Sequence, residues 1–139
     1  MTEKSIDKFI KSHHVMALST VDENGLPYSC AIFYAYNDKE NILIFSSEKS
    51  TAHASHFEKN PFVAFSIYLE TNIVGKIKGV QGKGKVTEAS ATDRMTYIKR
   101  FPYAAIAPLT LWRIEPTFFK LTDNSLLGFG KKLIWNKQE

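Results

Sequence analysis

The sequence predicts a mainly β protein in which about six antiparallel strands form a closed or nearly closed barrel, with three short helices between them. Its 139 residues fit one domain, 1–139. Ten Phe and six Tyr favour a β-rich core, because aromatic side chains suit a pleated, half-buried surface. Short apolar segments joined by tight turns indicate antiparallel pairing of consecutive strands.

The first half of the chain begins with a predicted helix over residues 3–12, where apolar side chains recur on one helical face and Thr2 is expected to cap the helix. A strand over 15–21 follows. Asn-Gly is a strong hairpin signal and joins this strand to a second one over 26–36. A second polar turn leads into a short apolar strand over 42–45.

The second half begins with a helix over 51–59, which ends at Asn60 because the residue before a proline resists the α conformation. A strand over 62–69 and a long alternating segment over 73–88 come next, and the glycines of that segment indicate a bent strand. The remaining predicted elements are a helix over 92–100, a strand over 109–121 interrupted at Pro116, and a last strand over 126–135.

Composition narrows the functional classes. The net charge of +4 suits a phosphate-bearing ligand, weak nucleic-acid binding, or solubility alone. Cys30 is the single cysteine, so no intrachain disulfide can form and a reducing compartment is expected. The polar N-terminus does not resemble a signal peptide, and no apolar run is long enough to span a bilayer. We therefore expect a cytoplasmic protein that does not enter membranes.

The strongest candidate for a binding site is the junction between the third strand and the second helix. Hydroxyls, Lys49 and His53 gather there, at a helix start whose free N–H groups and dipole attract phosphate. The junction residues are Ser46, Ser47, Glu48, Lys49, Ser50 and Thr51. The alternative is an ordinary capped helix, with Ser50 or Thr51 as the cap and the other side chains solvated.

Several rival motifs do not fit their contexts. Residues 79–84 are glycine-rich but lack the strand-then-helix setting and the spacing of a dinucleotide site. Residues 130–132 lack the remainder of a P-loop. His53 and His56 could share a helix face, but no third ligand has suitable spacing, so no metal site is predicted. No residue stands out as a catalytic acid, base or nucleophile.

A family resemblance adds to this picture. Residues 16–27, the strand end with Ser46 and Ser47, and Asn60-Pro61 resemble, in order and spacing, the pyridoxamine 5′-phosphate oxidase-like, FMN-binding split barrels. Residues 99–102 and 122–135 resemble one bacterial subfamily of that superfamily. The resemblance implies a six-stranded antiparallel split β-barrel, FMN as cofactor, and a homodimer with the site between its subunits.

The resemblance also implies roles for individual residues. It places the FMN phosphate at Ser46 and Ser47, and it puts basic side chains of the next helix at positions that here hold Thr51 and His53. His53 can donate to phosphate, but its charge depends on pH, and Lys49 is expected to compensate. The implied contacts with the flavin ring are Ser29, Cys30 and Ala31 along the ring, Gln81 at its edge, and the tail around Lys131, Lys132 and Trp135 in the partner's site. For Cys30, a buried apolar thiol is the alternative.

Three functions remain open on this basis. The first is an FMN-dependent oxidoreductase or flavin reductase acting on an unidentified small molecule or electron donor; pyridoxamine phosphate oxidase activity itself is disfavoured by the short chain. The second is a non-catalytic protein that binds flavin or a related cofactor such as haem or a deazaflavin. The third, nucleic-acid binding, is least favoured, since it requires exposed aromatics beside a set of lysines. That set is Lys76, Lys78, Lys83 and Lys85.

Overall fold

The computed structural model describes residues 3–124 and 132–138. Within them the strands are β1 Val15–Val21, β2 Pro27–Asn37, β3 Ile42–Ser46, β4 Phe62–Tyr68, β5 Lys78–Glu88, β6 Leu111–Asp123 and β7 Lys132–Asn136. The helices are α1 Lys4–Ser12, α2 Ala52–Lys59 and α3 Ala91–Arg100, with short 3₁₀ turns at Val74–Lys76 and Pro102–Ala105. No helix in the described part of the chain is long and apolar enough to cross a bilayer.

The strands form one antiparallel sheet in the order β3-β2-β1-β4-β5-β6-β7. An additional pairing of β3 with β6 closes the first six of these strands into a barrel, and β7 extends the sheet from β6. This confirms the predicted mainly β class with short helices and a six-stranded antiparallel barrel. Closure leaves each of the six barrel strands hydrogen-bonded on both sides, which removes free sheet edges from the barrel.

The Asn-Gly turn between β1 and β2 forms as the sequence predicts. Gly25 has a φ of 78°, a left-handed conformation that glycine adopts without steric cost. The Asp22 carboxylate accepts hydrogen bonds from the backbone N–H groups of Asn24 and Leu26, both at 2.9 Å. This turn fixes the β1–β2 register, which pairs Ser19 with Ser29.

Helix α1 closes one end of the barrel. Ile6, Phe9 and Ile10 are buried in the main core, as their helical spacing predicts. The Tyr34 hydroxyl donates to the Ile10 carbonyl at 2.6 Å, and burial raises the pKa of Tyr34. On the outer side of β3, a second apolar cluster packs α3 against the sheet, so the outer surface of that strand is covered. None of the three described helices lies on the outer surface of β1 and β4, so a ligand can reach the sheet there.

The structure departs from the sequence-based boundaries at a few points. Residues 73–77, which the sequence predicts to be part of β5, belong to the β4–β5 connection. The strand pairing of β5 begins at Lys78, opposite Asp123, and at Gly79, opposite Tyr68. Just before it, the Ile77 carbonyl accepts from the Asn124 N–H at 3.0 Å. Thr2, the expected cap of α1, lies outside the described residues; Glu3 occupies the N-cap and makes no side-chain capping bond. The last strand is described from Lys132, and residues 125–131 of the expected tail lie outside the described residues.

Candidate functional site

The serine corner, residues 46–51, joins β3 to α2 and is held in place by its main chain. The Ser47 N–H donates to the Thr110 carbonyl at 3.0 Å, and the Ser47 carbonyl accepts from the Trp112 indole N–H at 2.8 Å. Thr51 is the N-cap of α2: its hydroxyl accepts from the Ala54 N–H at 3.3 Å. The corner is therefore a fixed scaffold that points several hydroxyls toward the start of a helix.

Three side chains of the corner and α2 form one hydrogen-bonded cluster. The Ser47 hydroxyl is bonded to His53 Nε2, and the Thr51 hydroxyl lies 3.3 Å from each of these two groups. Ser47 is nearly buried, whereas Thr51 and His53 are partly exposed. An incoming anion would have to replace these internal bonds with bonds to itself, so the proton on His53 decides how many donors the cluster can offer.

The positive charge at the corner depends on the protonation of His53. Burial, followed by the nearby His56, lowers the pKa of His53, so the imidazole is neutral at pH 7. The permanent cation nearby is Lys49, whose ammonium lies 5.9 Å from the centre of the Trp112 ring. The His56 ring points elsewhere, with Nδ1 2.9 Å from the Thr20 hydroxyl. The described residues contain no group of three side chains that could hold a metal ion.

A second feature lies on the outer face of β2, β1 and β4, where six small side chains form a flat patch that we call the small-residue floor. Cross-strand pairing sets them in two adjacent rows of three. The rows are Ala31–Ala17–Ser66 and Ser29–Ser19–Ala64. The Ser19 hydroxyl donates to the Ser29 hydroxyl at 3.3 Å. Because no side chain in the patch is larger than serine, a planar group can approach the sheet closely.

The same two rows continue across β5 and β6 with larger side chains. Ser66 is followed by Gln81 and Lys120, and Ala64 is followed by Lys83 and Phe118. We call Lys83 and Lys120 the lysine rim. A groove of about 430 Å³ lies over this part of the face, and none of the described residues that line it is acidic.

The serine corner and the floor are neighbours along β2. The β2–β3 ladder pairs Tyr34 with Phe45. One residue further along each strand, on the outer face, are Phe33 and Ser46. Phe33 is also paired with Val15 of β1, two residues before Ala17. Ser46, Phe33 and the floor therefore follow one another along the outer face, and the Phe33 ring between them packs edge-on against Phe101, with the ring centres 5.9 Å apart.

The structure brings together some, but not all, of the residues singled out in the sequence. Ser29, Ala31 and Gln81 share the outer face. Cys30 faces the other way, packs against the barrel core and has a pKa raised by burial, so its side chain does not reach the floor. Trp135 packs on its own barrel, with its ring centre 5.2 Å from that of Phe119. Lys131 lies outside the described residues.

The lysines named for nucleic-acid binding do not share one face. Lys83 and Lys85 lie on the outer face, across from Phe118 and Phe62 respectively. Lys78 lies on the inner side, 3.4 Å from the Asp123 carboxylate and over the ring of Phe9. The aromatic and basic stripe that this function requires is therefore incomplete.

Sequence reasoning missed the lysine rim as part of the site. The alternation of β5 already put Lys83 on the face of Gln81. Lys120 carried no such signal, because its position depends on the β5–β6 register, which shifts at a bulge between Lys83 and Gly84.

Comparison with known proteins now identifies the family. The family model described as pyridoxamine 5′-phosphate oxidase matches residues 2–122, which is most of the chain. The chain belongs to the pyridoxamine 5′-phosphate oxidase family. It is also 32% identical over 139 residues to a UPF0306 protein of Yersinia pestis, covering 96% of this chain and 92% of that one. The resemblance read from the sequence is thereby confirmed at the level of family and fold.

Solved structures of similar fold are described as binding different cofactors. A FAD-binding protein from Mesorhizobium loti has a TM-score of 0.67 and 18% sequence identity, over 86% of this chain and 90% of that one. A heme binding protein from Mycobacterium smegmatis has a TM-score of 0.72 and 14% identity, over 92% of this chain and 55% of that one. At such identities the likeness shows the shared fold, and the choice of cofactor has to be argued from this chain's own residues.

Proposed function

We propose that this protein binds FMN, with the phosphate at the serine corner and the ring on the small-residue floor. The observation that carries the proposal is the continuity between the two: Ser46 and Phe33 link a cluster of phosphate donors to a flat patch of six small side chains. Family membership makes a flavin plausible, and the chain's own residues determine where it would lie.

The size and chemistry of the floor fit a fused planar ring. Three strands spaced about 4.8 Å apart and two rows about 7 Å apart give a patch of roughly 10 Å by 7 Å. The side chains on the patch are methyl and hydroxymethyl groups, which leave room for a ring to lie against the backbone. At its edge, the Gln81 amide supplies both a donor and an acceptor, as the pyrimidine part of a flavin requires.

The corner fits a phosphate through its donor set. The Ser47 hydroxyl and protonated His53 can donate, and the first N–H groups of α2 have no acceptor within the helix. The Thr51 hydroxyl donates to the Glu48 carbonyl at 2.8 Å and would have to leave it to bind a phosphate. Lys49 adds a permanent positive charge close by. This set resembles other phosphate sites at helix starts, but it depends more on pH than one built from arginine and lysine.

Haem is the principal alternative, and the lining of the groove argues against it. Haem iron needs an axial His, Cys, Met or Tyr. None of the residues that line the groove over the floor and the lysine rim is of these types. Cys30 is turned into the core, and His53 and His56 are engaged at the corner and at Thr20. The groove therefore suits a cofactor held by stacking and hydrogen bonds more than one held by a metal ligand.

We also propose that a second copy of the chain covers the floor. Large apolar side chains next to the floor are well exposed in one chain: Phe33 by 56%, Phe62 by 64% and Tyr68 by 62%. Burying an exposed aromatic side chain contributes on the order of 1.5–3 kcal/mol, so a surface of this kind favours association. A homodimer of this geometry would enclose the ring between the two sheets.

The chemistry follows from the cofactor. A bound flavin would supply hydride or electron transfer, while Gln81, Lys83 and Lys120 would orient and polarise its ring. We therefore propose an oxidoreductase acting on an unidentified small molecule. Without a donor or acceptor substrate, the same site would serve as a flavin carrier.

The test is a fluorescence-quenching titration of the purified protein with FMN and with riboflavin. FMN should bind more tightly than riboflavin, which lacks the phosphate. Ser47→Asp should weaken FMN binding by about tenfold or more through repulsion of the phosphate. Ser55→Asp adds the same charge on an exposed part of α2 and should have little effect. Equal binding of FMN by both variants would remove the corner from the site.

A second measurement separates an enzyme from a carrier. The FMN-loaded protein is mixed with NADH or NADPH, and the flavin absorbance is followed without and with a flavin or quinone acceptor. Turnover in excess of free FMN at the same concentration supports an oxidoreductase. Bound FMN that shows no turnover with these donors and acceptors supports a carrier of the cofactor.

A further inference from the structure

We infer that the lysine rim, Lys83 and Lys120, makes the site prefer the reduced, anionic form of the flavin over the oxidised, neutral form. This inference rests on the proposed function, because it concerns a ring lying on the small-residue floor. It goes further by assigning to two lysines the control of the reduction potential of the bound cofactor.

The rim lies at the β5 end of the floor. Gln81 and Lys83 are two residues apart on β5, and their partners on β6 are Lys120 and Phe118. The four side chains thus form a compact block on the outer face, next to Ser66 and Ala64 of the floor. Lys83 and Lys120 occupy diagonal positions in this block, where side chains of their length can reach a common point.

No described carboxylate neutralises these two charges. Neither Lys83 nor Lys120 forms an ion pair with a carboxylate in residues 3–124 or 132–138. The Lys83 ammonium instead lies 5.2 Å from the centre of the Phe118 ring, which keeps it close to the sheet surface. Two cations placed together with no acidic group lining the groove repel each other, and a nearby anion relieves that repulsion.

The form of the ligand that gains most from this arrangement is the one with the extra negative charge. Reduced flavin is anionic at neutral pH, whereas oxidised flavin is neutral, so the rim attracts the two forms unequally. A lysine ammonium about 10 Å from the added negative charge, at an effective dielectric constant of about 20, favours the reduced form by roughly an order of magnitude. The lysines act by position and charge and make no covalent bond.

Lys85 provides a matched control. It lies two residues beyond Lys83 on the same outward face of β5, but its neighbours are Phe62 on β4 and Glu115 on β6. Lys85→Gln therefore removes the same charge from the same strand, outside the block that borders the floor. A general effect of net charge would change the reduction potential of bound FMN by the same amount in Lys85→Gln and in Lys83→Gln.

The experiment measures the reduction potential of bound FMN by equilibration with a reference dye in the wild-type protein and in Lys83→Gln, Lys120→Gln and Lys85→Gln. The dissociation constant for oxidised FMN is measured in parallel. Lys83→Gln and Lys120→Gln should each reduce the preference for the reduced form about tenfold, which lowers the two-electron potential by about 30 mV. Lys85→Gln should leave the potential within a few millivolts of wild type.

The outcomes distinguish the inference from the proposed function. If wild-type protein binds no FMN, the proposed function fails and the inference fails with it. If FMN binds but its potential is the same in all four proteins, or if Lys85→Gln shifts it as much as Lys83→Gln does, FMN binding stands and the role assigned to the lysine rim is wrong.

Discussion

Protonation of His53 should control how tightly the protein binds the phosphate of FMN. In the free protein His53 Nε2 is bonded to the Ser47 hydroxyl, and burial lowers the pKa of the imidazole. The neutral ring has one N–H, and the protonated ring has two. Lowering the pH from 8 to 6 should therefore add a donor and a positive charge at the corner.

The size of the effect follows from Coulomb's law and solvent screening. Two unit charges 4 Å apart attract by about 4 kcal/mol at an effective dielectric constant of 20. His53 and Thr51 are partly exposed, and screening reduces this to about 1.4 kcal/mol, or tenfold in affinity. Phosphate binding raises the pKa of His53, so the gain begins as the pH falls through the pKa in the complex. It is complete below the lowered pKa of the free protein.

The phosphate sets the lower limit of this range, because its second pKa is about 6 and it loses charge as the solution becomes more acidic. Affinity should therefore rise from pH 8 and level off or decline below about pH 6. His56, on the same helix, is close enough to contribute to the lowered pKa of His53, although its ring is bonded to Thr20.

The assay is the FMN titration repeated across this pH range, with riboflavin as the ligand that lacks a phosphate. In His53→Gln the FMN affinity should stay low across this pH range, and in His53→Lys it should stay high. His14→Gln removes another histidine whose pKa is lowered, in the link between α1 and β1, and should keep the wild-type profile. A riboflavin profile as steep as that of FMN, or an unchanged profile in His53→Gln, would refute the reasoning.

Three further predictions concern stability and assembly. Gly84→Ala should lower the free energy of unfolding in urea by about 2–3 kcal/mol, since its Cβ would lie 2.7 Å from the Glu115 carbonyl oxygen, while Gly25→Ala, with open space around it, should cost about 1 kcal/mol. Asp93→Ala should cost about 3 kcal/mol in the same assay without changing FMN affinity, because it removes the Asp93 side-chain half of the α3 capping box and a buried ion pair with Arg113 at 3.2 Å. Phe33→Lys should shift sedimentation equilibrium from dimer to monomer, and an unchanged mass would place the subunit contact elsewhere.

Much of the fold could be predicted because the local sequence patterns favour the same turns, helices and strands that the barrel contains. The Asn-Gly turn, the helical spacing of Ile6, Phe9 and Ile10, and the alternation of β1 and β5 each dictate a local structure that the tertiary packing retains. The alternation wrongly predicted a strand at residues 73–77, because periodicity alone does not show where the neighbouring strand ends. The closure of β3 on β6 also had no local signal, since it joins segments about 70 residues apart.

The site was less predictable because it depends on contacts between distant strands. The sequence indicated the serine corner, since hydroxyls followed by a helix are a local pattern. It could not show that Cys30 faces the core while Ser29 and Ala31 face outward, because choosing between the two faces of a strand requires the position of the barrel. The approach of Lys120 to Gln81 required the β5–β6 register.

The two ends of the proposed site differ in the kind of charge that they carry, and this difference separates affinity from reactivity. The corner depends on His53, an imidazole whose pKa is lowered by burial, whereas the rim consists of two lysine ammonium groups. In the proposed complex, a fall in pH should therefore tighten FMN binding through the phosphate. Flavin reduction takes up a proton, so the potential of every variant changes with pH. In the range where the reduced flavin stays anionic, the difference in potential between the wild-type protein and Lys83→Gln or Lys120→Gln should stay the same while the FMN affinity changes.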